Sequence, residues 1–290
     1  MTRRSAWHPL QGNAARATPR PGVIAAAHGL QGDWRMWEPL ARHLPADVRV
    51  YALDLPWRAG NDYRWRRTAD APRHLAQALR TLPERPDLLV AHSFGANAAL
   101  GYLTRAHSGT SRLRAAVLAA PFFRTSNAPA DRDAFARHRE TLQVLMAEAV
   151  RGRVGHRAQG LGEAVLASMA RTAAARLPPQ ALVALRDSYR TSGTLDLRAV
   201  RVPVLVVAGE DDPSAGVDQG RALAEGLPTA ALRVHPSVGH FLTYQAPEPF
   251  AADIETLLTL FPETETAASP LLSLLNGLPA GAVPGIRTYP

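Results

Sequence analysis

The sequence contains no cysteine and no lysine among its 290 residues. Without cysteine, disulfide staples, thiolate metal sites and a cysteine nucleophile are excluded, and this composition is typical of a cytoplasmic protein. No stretch approaches the ~18 consecutive apolar residues of a membrane-spanning helix, and residues 1–21 lack the apolar core of a signal peptide. We therefore expect a cytoplasmic protein that does not associate with membranes and has no metal or cofactor site.

All 33 basic residues are arginine, and the formal net charge is +8. Such exclusive use of arginine, together with abundant alanine and proline, is typical of a GC-rich genome, and most of this charge is expected on the solvated surface. A local cluster of Arg58, Arg64, Arg66 and Arg67 could instead attract an anionic partner. No nucleic-acid recognition motif accompanies the charge, so nucleic acid is not expected as a partner.

Short apolar runs alternate with helical segments along the chain. This alternation predicts an α/β protein with a mostly parallel central sheet flanked by helices. The residues before Val23 are too few for two full-length leading strands, so six to eight strands are expected. The predicted strands begin near Val23, Val48, Leu88, Ala115, Val204 and Ala231.

The region between residues 121 and 197 lacks strand signals and is rich in alanine and arginine with helical patterning. We expect residues 1–120 and 198–262 to form the core and residues 121–197 to form a helical insertion. Residues 263–290 extend past the last predicted helix and carry a short apolar segment at 271–275. That extension is expected to dock on the body or on a partner, or to stay disordered.

Ser93 lies where an apolar strand meets an alanine-rich helix. It is flanked two positions away by the small residues Ala91 and Gly95, as in a nucleophile elbow, which exposes a serine hydroxyl on a tight turn. The first glycine of the usual pattern is an alanine here. On its own the pentapeptide is equally compatible with an ordinary turn in any α/β protein.

Two later segments supply partners for this serine. The apolar run at 204–209 ends in the carboxylates Asp211 and Asp212, and the strand near 231–235 leads to His240 beside a glycine. With this order of serine, aspartate and histidine, the chain resembles the α/β-hydrolase fold superfamily over roughly residues 20 to 262. The resemblance implies that the helical insertion is a cap placed after the sixth strand of that fold.

The resemblance also implies residue roles. Ser93 would be the nucleophile, His240 the general base and Asp212 the orienting acid, with Asp211 as the alternative acid. An imidazole can take the proton of a serine hydroxyl and return it to the leaving group, and a carboxylate fixes the imidazole tautomer. The backbone N–H groups of Leu30 and Phe94 would form the oxyanion hole.

Other side chains near these motifs have structural or substrate-binding interpretations. His28, His92 and Asp54 are interpreted as structural. Phe122, Phe123 and Trp57 are predicted to bind substrate, since aromatic side chains near the catalytic edge suit an apolar or aromatic acyl group. Trp34 and Trp37 lie near the same edge, but their spacing equally suits a helix core.

The sequence therefore predicts a serine hydrolase that cleaves an ester, thioester or amide of a small molecule through an acyl-serine intermediate. The alternative is an acyltransferase of the same fold, which would move an acyl group from an acidic carrier protein to an acceptor other than water. The arginine cluster motivates that alternative. A third and weaker interpretation is a non-catalytic ligand-binding member, which would not need an activated serine.

Overall fold

The central sheet is assembled from short apolar segments, most of them fully buried. The structure is a computed structural model that describes residues 6–12, 22–105, 113–125, 131–259 and 286–288. Eight strands form a single sheet in these ranges. They are β1 (Trp7–Gln11), β2 (Val23–Ala27), β3 (Arg49–Leu53), β4 (Leu88–His92), β5 (Ala115–Ala119), β6 (Val204–Gly209), β7 (Ala230–His235) and β8 (Ile286–Thr288).

The strand order is β1-β3-β2-β4-β5-β6-β7-β8. The six inner strands are parallel, and the two edge strands, β1 and β8, run antiparallel to their neighbours. This confirms the predicted α/β class and the mostly parallel sheet. One leading strand is present as an antiparallel edge, with Trp7 paired to Leu53. The carboxyl ends of β4, β6 and β7 lie at the same sheet edge, because parallel strands share one direction.

Helices cover the sheet and fill the predicted insertion between β5 and β6. The segment that contains Trp34 and Trp37 is divided into a short 3₁₀ turn at Trp34–Trp37 and a four-residue helix. The break has a physical cause, since Pro39 has no N–H with which to continue the ladder. The helices of the described ranges are α1 (Glu38–Ala41), α2 (Ala71–Arg80), α3 (Phe94–Leu103), α4 (Asp131–Val154), α5 (Glu163–Ala175), α6 (Pro179–Ser192), α7 (Val217–Gly226), α8 (Leu242–Gln245) and α9 (Pro247–Thr259).

The end of the chain contributes a strand that the sequence did not predict. Ile286–Thr288 pairs antiparallel with β7, with Ile286 opposite Arg233. The apolar segment at 271–275 and most of the predicted extension lie outside the described residues. In the part of the chain that the structure describes, no helix is both long and apolar enough to cross a membrane.

Candidate active site

Ser93 occupies a strained turn between β4 and α3. Its backbone has φ 54° and ψ −120°, which a non-glycine residue rarely adopts. Two positions later, a Cβ on Gly95 would lie 2.5 Å from the carbonyl oxygen of His28, so only glycine lets α3 approach the end of β2. Ala91 is fully buried on β4. The structure thus has the local geometry expected of an elbow that holds a serine at the sheet edge.

The serine is joined to the two residues predicted as its partners. His240 Nε2 lies 2.8 Å from Ser93 Oγ, and His240 Nδ1 lies 2.7 Å from Asp212 Oδ2. With the ring proton on Nδ1, the imidazole donates to the carboxylate and accepts from the serine hydroxyl. All three side chains are buried. The sheet brings them together from three strand ends, because Ser93 follows β4, Asp212 follows β6 and His240 follows β7.

Asp212, and not its neighbour Asp211, contacts the imidazole. Its Oδ1 atom accepts hydrogen bonds from the N–H groups of Ser214 and Ala215 at 2.8 and 3.1 Å and from the Ser214 hydroxyl at 2.8 Å. Burial alone would raise the pKa of this carboxyl, but the interactions with His240 and the backbone donors outweigh it and hold the pKa well below its usual range. Asp211 is exposed. The Asp212 carboxylate is therefore ionised at neutral pH.

The Ser214 hydroxyl is a site residue that the sequence analysis missed. Besides donating to Asp212, its Oγ lies 3.0 Å from His240 Nδ1. A local signal existed, since an aspartate that accepts from the N–H two residues on forms an Asx turn, which the sequence Asp212-Pro213-Ser214 favours. The contact with His240, in contrast, arises only when the two strand ends meet.

The two backbone N–H groups predicted as an oxyanion hole lie on segments packed against the elbow. A Cβ on Gly29 would lie 3.2 Å from the Cβ of Ser93, so the loop carrying Leu30 runs next to the serine. Phe94 is the first residue of α3, where an N–H has no partner within the helix. Among the described residues, neither N–H donates to a backbone carbonyl. Within the described ranges, both donors are therefore free of competing backbone acceptors.

Two buried histidines brace these loops. Burial lowers the pKa of His28 to about 4 and that of His92 to about 3, so both rings are neutral near pH 7. His28 Nδ1 donates to the Gly29 carbonyl at 2.8 Å, and its Nε2 accepts from the N–H of Leu55 at 3.2 Å. His92 Nε2 donates to the carbonyl of His240 at 2.8 Å. The partners of both rings in these hydrogen bonds are backbone groups.

None of the three predicted substrate-binding aromatics lines the cavity described below. Trp57 is fully buried, its Nε1 donates to the His28 carbonyl at 2.8 Å, and its ring packs on Phe94. Phe122 is also buried, and both its backbone groups bond to the Asn97 amide. The Phe123 N–H donates to the side-chain oxygen of Gln219 on α7 at 3.0 Å. The Trp57 ring is therefore part of the core and packs against the first residue after Ser93.

A cavity of about 340 Å³ lies instead between α3, α6 and the segment at 65–72. Phe94 and Trp65 provide its aromatic wall, and it reaches the turn at Phe94 without being lined by Ser93. Two ion pairs also border it, each 2.5 Å long. They are Arg66–Asp187 and Arg105–Asp70.

The arginine cluster is largely neutralised by neighbouring carboxylates. Arg58 pairs with Asp54 at 3.2 Å, and Arg64 pairs with Asp62 at 3.1 Å. Arg66 forms the pair with Asp187 that borders the cavity. Such partly exposed pairs add little stability, but they reduce the local positive field that an acidic partner would meet.

A model of the family described as "Alpha/beta hydrolase family" matches residues 24–253 of the chain. The chain belongs to this family. The match contains Ser93, Asp212 and His240, so the hydrogen-bonded residues described above lie within the family region of this alpha/beta hydrolase.

One curated protein matches a short part of the chain, and solved structures share its fold. Over 64 residues the alpha/beta hydrolase is 44% identical to a Caulobacter sp. (strain K31) protein named "Putative carbamate hydrolase RutD". That match spans 22% of this chain and only 24% of the relative. Two solved structures share the fold of this chain. One is a bromoperoxidase from Bacillus anthracis, with a TM-score of 0.62 and 18% identity over 88% of this chain and 94% of the other. The second is an esterase from Exiguobacterium antarcticum, with a TM-score of 0.62 and 17% identity over 87% of this chain and 94% of the other.

Proposed function

We propose that this alpha/beta hydrolase is a serine hydrolase that cleaves an ester, thioester or amide of a small molecule through an acyl-serine intermediate. The observation that carries the proposal is the continuous hydrogen-bonded line from Ser93 through His240 to Asp212, with distances of 2.8 and 2.7 Å. A serine held on a strained turn within hydrogen-bond distance of an imidazole is the arrangement that acyl transfer requires.

The reaction follows from this geometry. Ser93 Oγ attacks the carbonyl carbon while its proton moves to His240 Nε2, and Asp212 stabilises the imidazolium that forms. The carbonyl oxygen becomes an oxyanion that accepts from the N–H groups of Phe94 and Leu30. The tetrahedral intermediate collapses, and the leaving group departs with the proton from His240. A water molecule then repeats the sequence on the acyl-serine, which releases the acid and restores the hydroxyl.

Two further observations support a small substrate and hydrolysis. The cavity beside Phe94 has a volume of about 340 Å³, which suits a small organic group. Similar proteins include one named as an esterase and one named as a putative carbamate hydrolase, and both names favour hydrolysis as the reaction. The acyltransferase alternative has weaker support, since most arginines that motivated a carrier protein are paired with carboxylates.

A fluorophosphonate probe tests the proposal without knowledge of the substrate. We expect intact mass to show one phosphonyl adduct on the wild-type protein and none on Ser93→Ala, because only an activated serine attacks phosphorus rapidly. Ser168→Ala, an exposed serine on α5, is the matched control and should label like the wild type. Equal labelling of Ser93→Ala and the wild type would show that another residue reacts and would overturn the assignment.

A further inference from the structure

Helix α4 places a carboxylate against the backbone of the catalytic-site histidine. Glu148 Oε2 accepts from the N–H of His240 at 3.3 Å and from Gln245 Nε2 at 3.5 Å. Gln245 Oε1 in turn accepts from the N–H of Gly239 at 2.6 Å. The residues 239–245, here called the histidine loop, therefore have their first two N–H groups held by side chains, and the acceptor for His240 comes from the insertion between β5 and β6.

A glycine lies where the Glu148 carboxylate approaches the loop. A Cβ on Gly239 would lie 3.1 Å from both Glu148 Oε2 and Gln245 Oε1, which is tighter than most real Cβ contacts. The absence of a side chain at this position lets the Glu148 carboxylate approach the loop. Burial raises the pKa of Glu148, although its hydrogen bond with the His240 N–H opposes that change. The half-buried Glu148 carboxylate thus accepts from the backbone N–H of His240 and from the Gln245 side chain.

One turn further along α4, the helix backbone itself lies on the histidine loop. A Cβ on Gly152 would come within 2.3 Å of Tyr244 Cδ2, so the Tyr244 ring packs directly on the helix. Residues four apart share one face of a helix, and Glu148 and Gly152 therefore form one contact surface against the loop. This close packing fixes where α4 sits relative to His240.

The C-terminal end of α4 also contacts the loop that carries the predicted oxyanion donor, the N–H of Leu30. Arg153 Nη2 donates to the carbonyl oxygen of Gln31 at 3.2 Å and pairs with Asp33 Oδ2 at 3.4 Å. Gln31 has φ 55° and directly follows Leu30, whose N–H is proposed to bind the oxyanion. The residues 29–33, here called the oxyanion loop, are thus attached to the helix that also holds the histidine loop.

We propose that Glu148 and Arg153 are positioning residues through which α4 sets the geometry of the histidine loop and of the oxyanion loop together. The proposal rests on the acyl-serine mechanism proposed above. Neither side chain touches the reacting atoms. Glu148 fixes the backbone from which the imidazole projects, and Arg153 fixes the strained peptide beside the oxyanion donor, so that catalytic competence requires α4 to be docked.

The test measures the second-order rate of fluorophosphonate labelling of the full chain. We expect Glu148→Ala to slow labelling about tenfold, because the His240 N–H loses a charged acceptor, and Arg153→Ala to slow it about threefold, because its ion pair is partly exposed. Glu148→Gln keeps an acceptor oxygen and should stay within about threefold of the wild type. Arg151→Ala and Glu163→Ala, which break the exposed pair between α4 and α5, are matched controls and should change the rate less than about twofold.

A double variant tests whether the helix acts as one unit. If α4 holds both loops together, Glu148→Ala with Arg153→Ala should slow labelling by less than the product of the single effects. Thermal unfolding and full labelling stoichiometry check that each variant is folded. Labelling of Glu148→Ala and Arg153→Ala at the wild-type rate, with the wild type reacting at Ser93, would overturn this inference alone. A wild-type protein that does not react at Ser93 would overturn the proposed function and this inference with it.

Discussion

At the scale of single residues, Asp212, which we propose to be the orienting acid, differs from its neighbour Asp211 by its hydrogen bonds. Asp212 has three donors on one oxygen and the imidazole on the other, whereas the exposed Asp211 side chain lies outside this network. A carboxylate held in this way can fix the tautomer of His240 without rearrangement during the reaction. The environment of the two carboxylates, and not their residue type, therefore decides which one can serve the imidazole.

Replacing Asp212 with asparagine tests this difference. The amide keeps the size of the side chain but removes the negative charge and favours the wrong imidazole tautomer, so we expect kcat for an activated ester such as p-nitrophenyl acetate to fall about 10⁴-fold. Asp211→Asn is the matched control and should stay within about twofold of the wild type. Similar losses in the two variants would contradict the assignment of Asp212.

At the scale of elements, the turn from β4 into α3 depends on how closely the helix approaches β2. The Cβ missing from Gly95 would lie 2.5 Å from the His28 carbonyl oxygen and 2.8 Å from that of Ala27. Both contacts are with backbone, which cannot rotate away as a side chain could. The position of the Ser93 hydroxyl is thus coupled to the packing of a helix against a neighbouring strand.

We expect Gly95→Ala to lower the free energy of unfolding by about 2–4 kcal/mol, because α3 must shift to relieve the overlap. The same shift should displace Ser93 and slow fluorophosphonate labelling. Gly216→Ala provides the control, since a Cβ there meets nothing within 4 Å, and it should change stability by less than about 1 kcal/mol. Urea unfolding of the two variants measures the difference. Equal stability of both would show that the elbow tolerates a side chain.

The elements that sequence could predict are those that local pattern determines. Buried parallel strands appear as apolar runs, so β4 and β6 and the residues that follow them could be found, and with them Ser93 and Asp212. Whether an aromatic side chain enters the core or a pocket depends on distant packing, so the sequence did not predict that the Trp57 ring packs on Phe94 and bonds to the His28 carbonyl. Glu148 was missed for the same reason, since its partner is 92 residues away in sequence.

At the scale of the whole molecule, two buried neutral histidines make stability depend on pH. In the folded protein the pKa of His28 is about 4 and that of His92 about 3, whereas both would be near 6.5 in the unfolded chain. Below pH 6.5 the unfolded chain therefore binds protons that the folded protein excludes. Stability is fully present above the unfolded pKa and is lost as the pH falls toward the folded values.

Each histidine is expected to contribute a slope of about 1.4 kcal/mol per pH unit between roughly pH 6 and pH 4. The pKa of Asp212 is also lowered in the folded protein, so the free energy of unfolding falls further as the pH drops below the unfolded value of this carboxyl, near 3.8. Because whole domains are stable by only about 5–15 kcal/mol, the folded protein should weaken markedly by pH 4. Urea unfolding at pH 7, 6, 5 and 4.5 measures this slope. His92→Gln should lower the slope by about 1.4 kcal/mol per pH unit, because the unfolded chain then binds about one proton fewer. An unchanged slope in this variant would mean that the folded protein accommodates the protonated ring of His92, which its buried position beside His240 opposes.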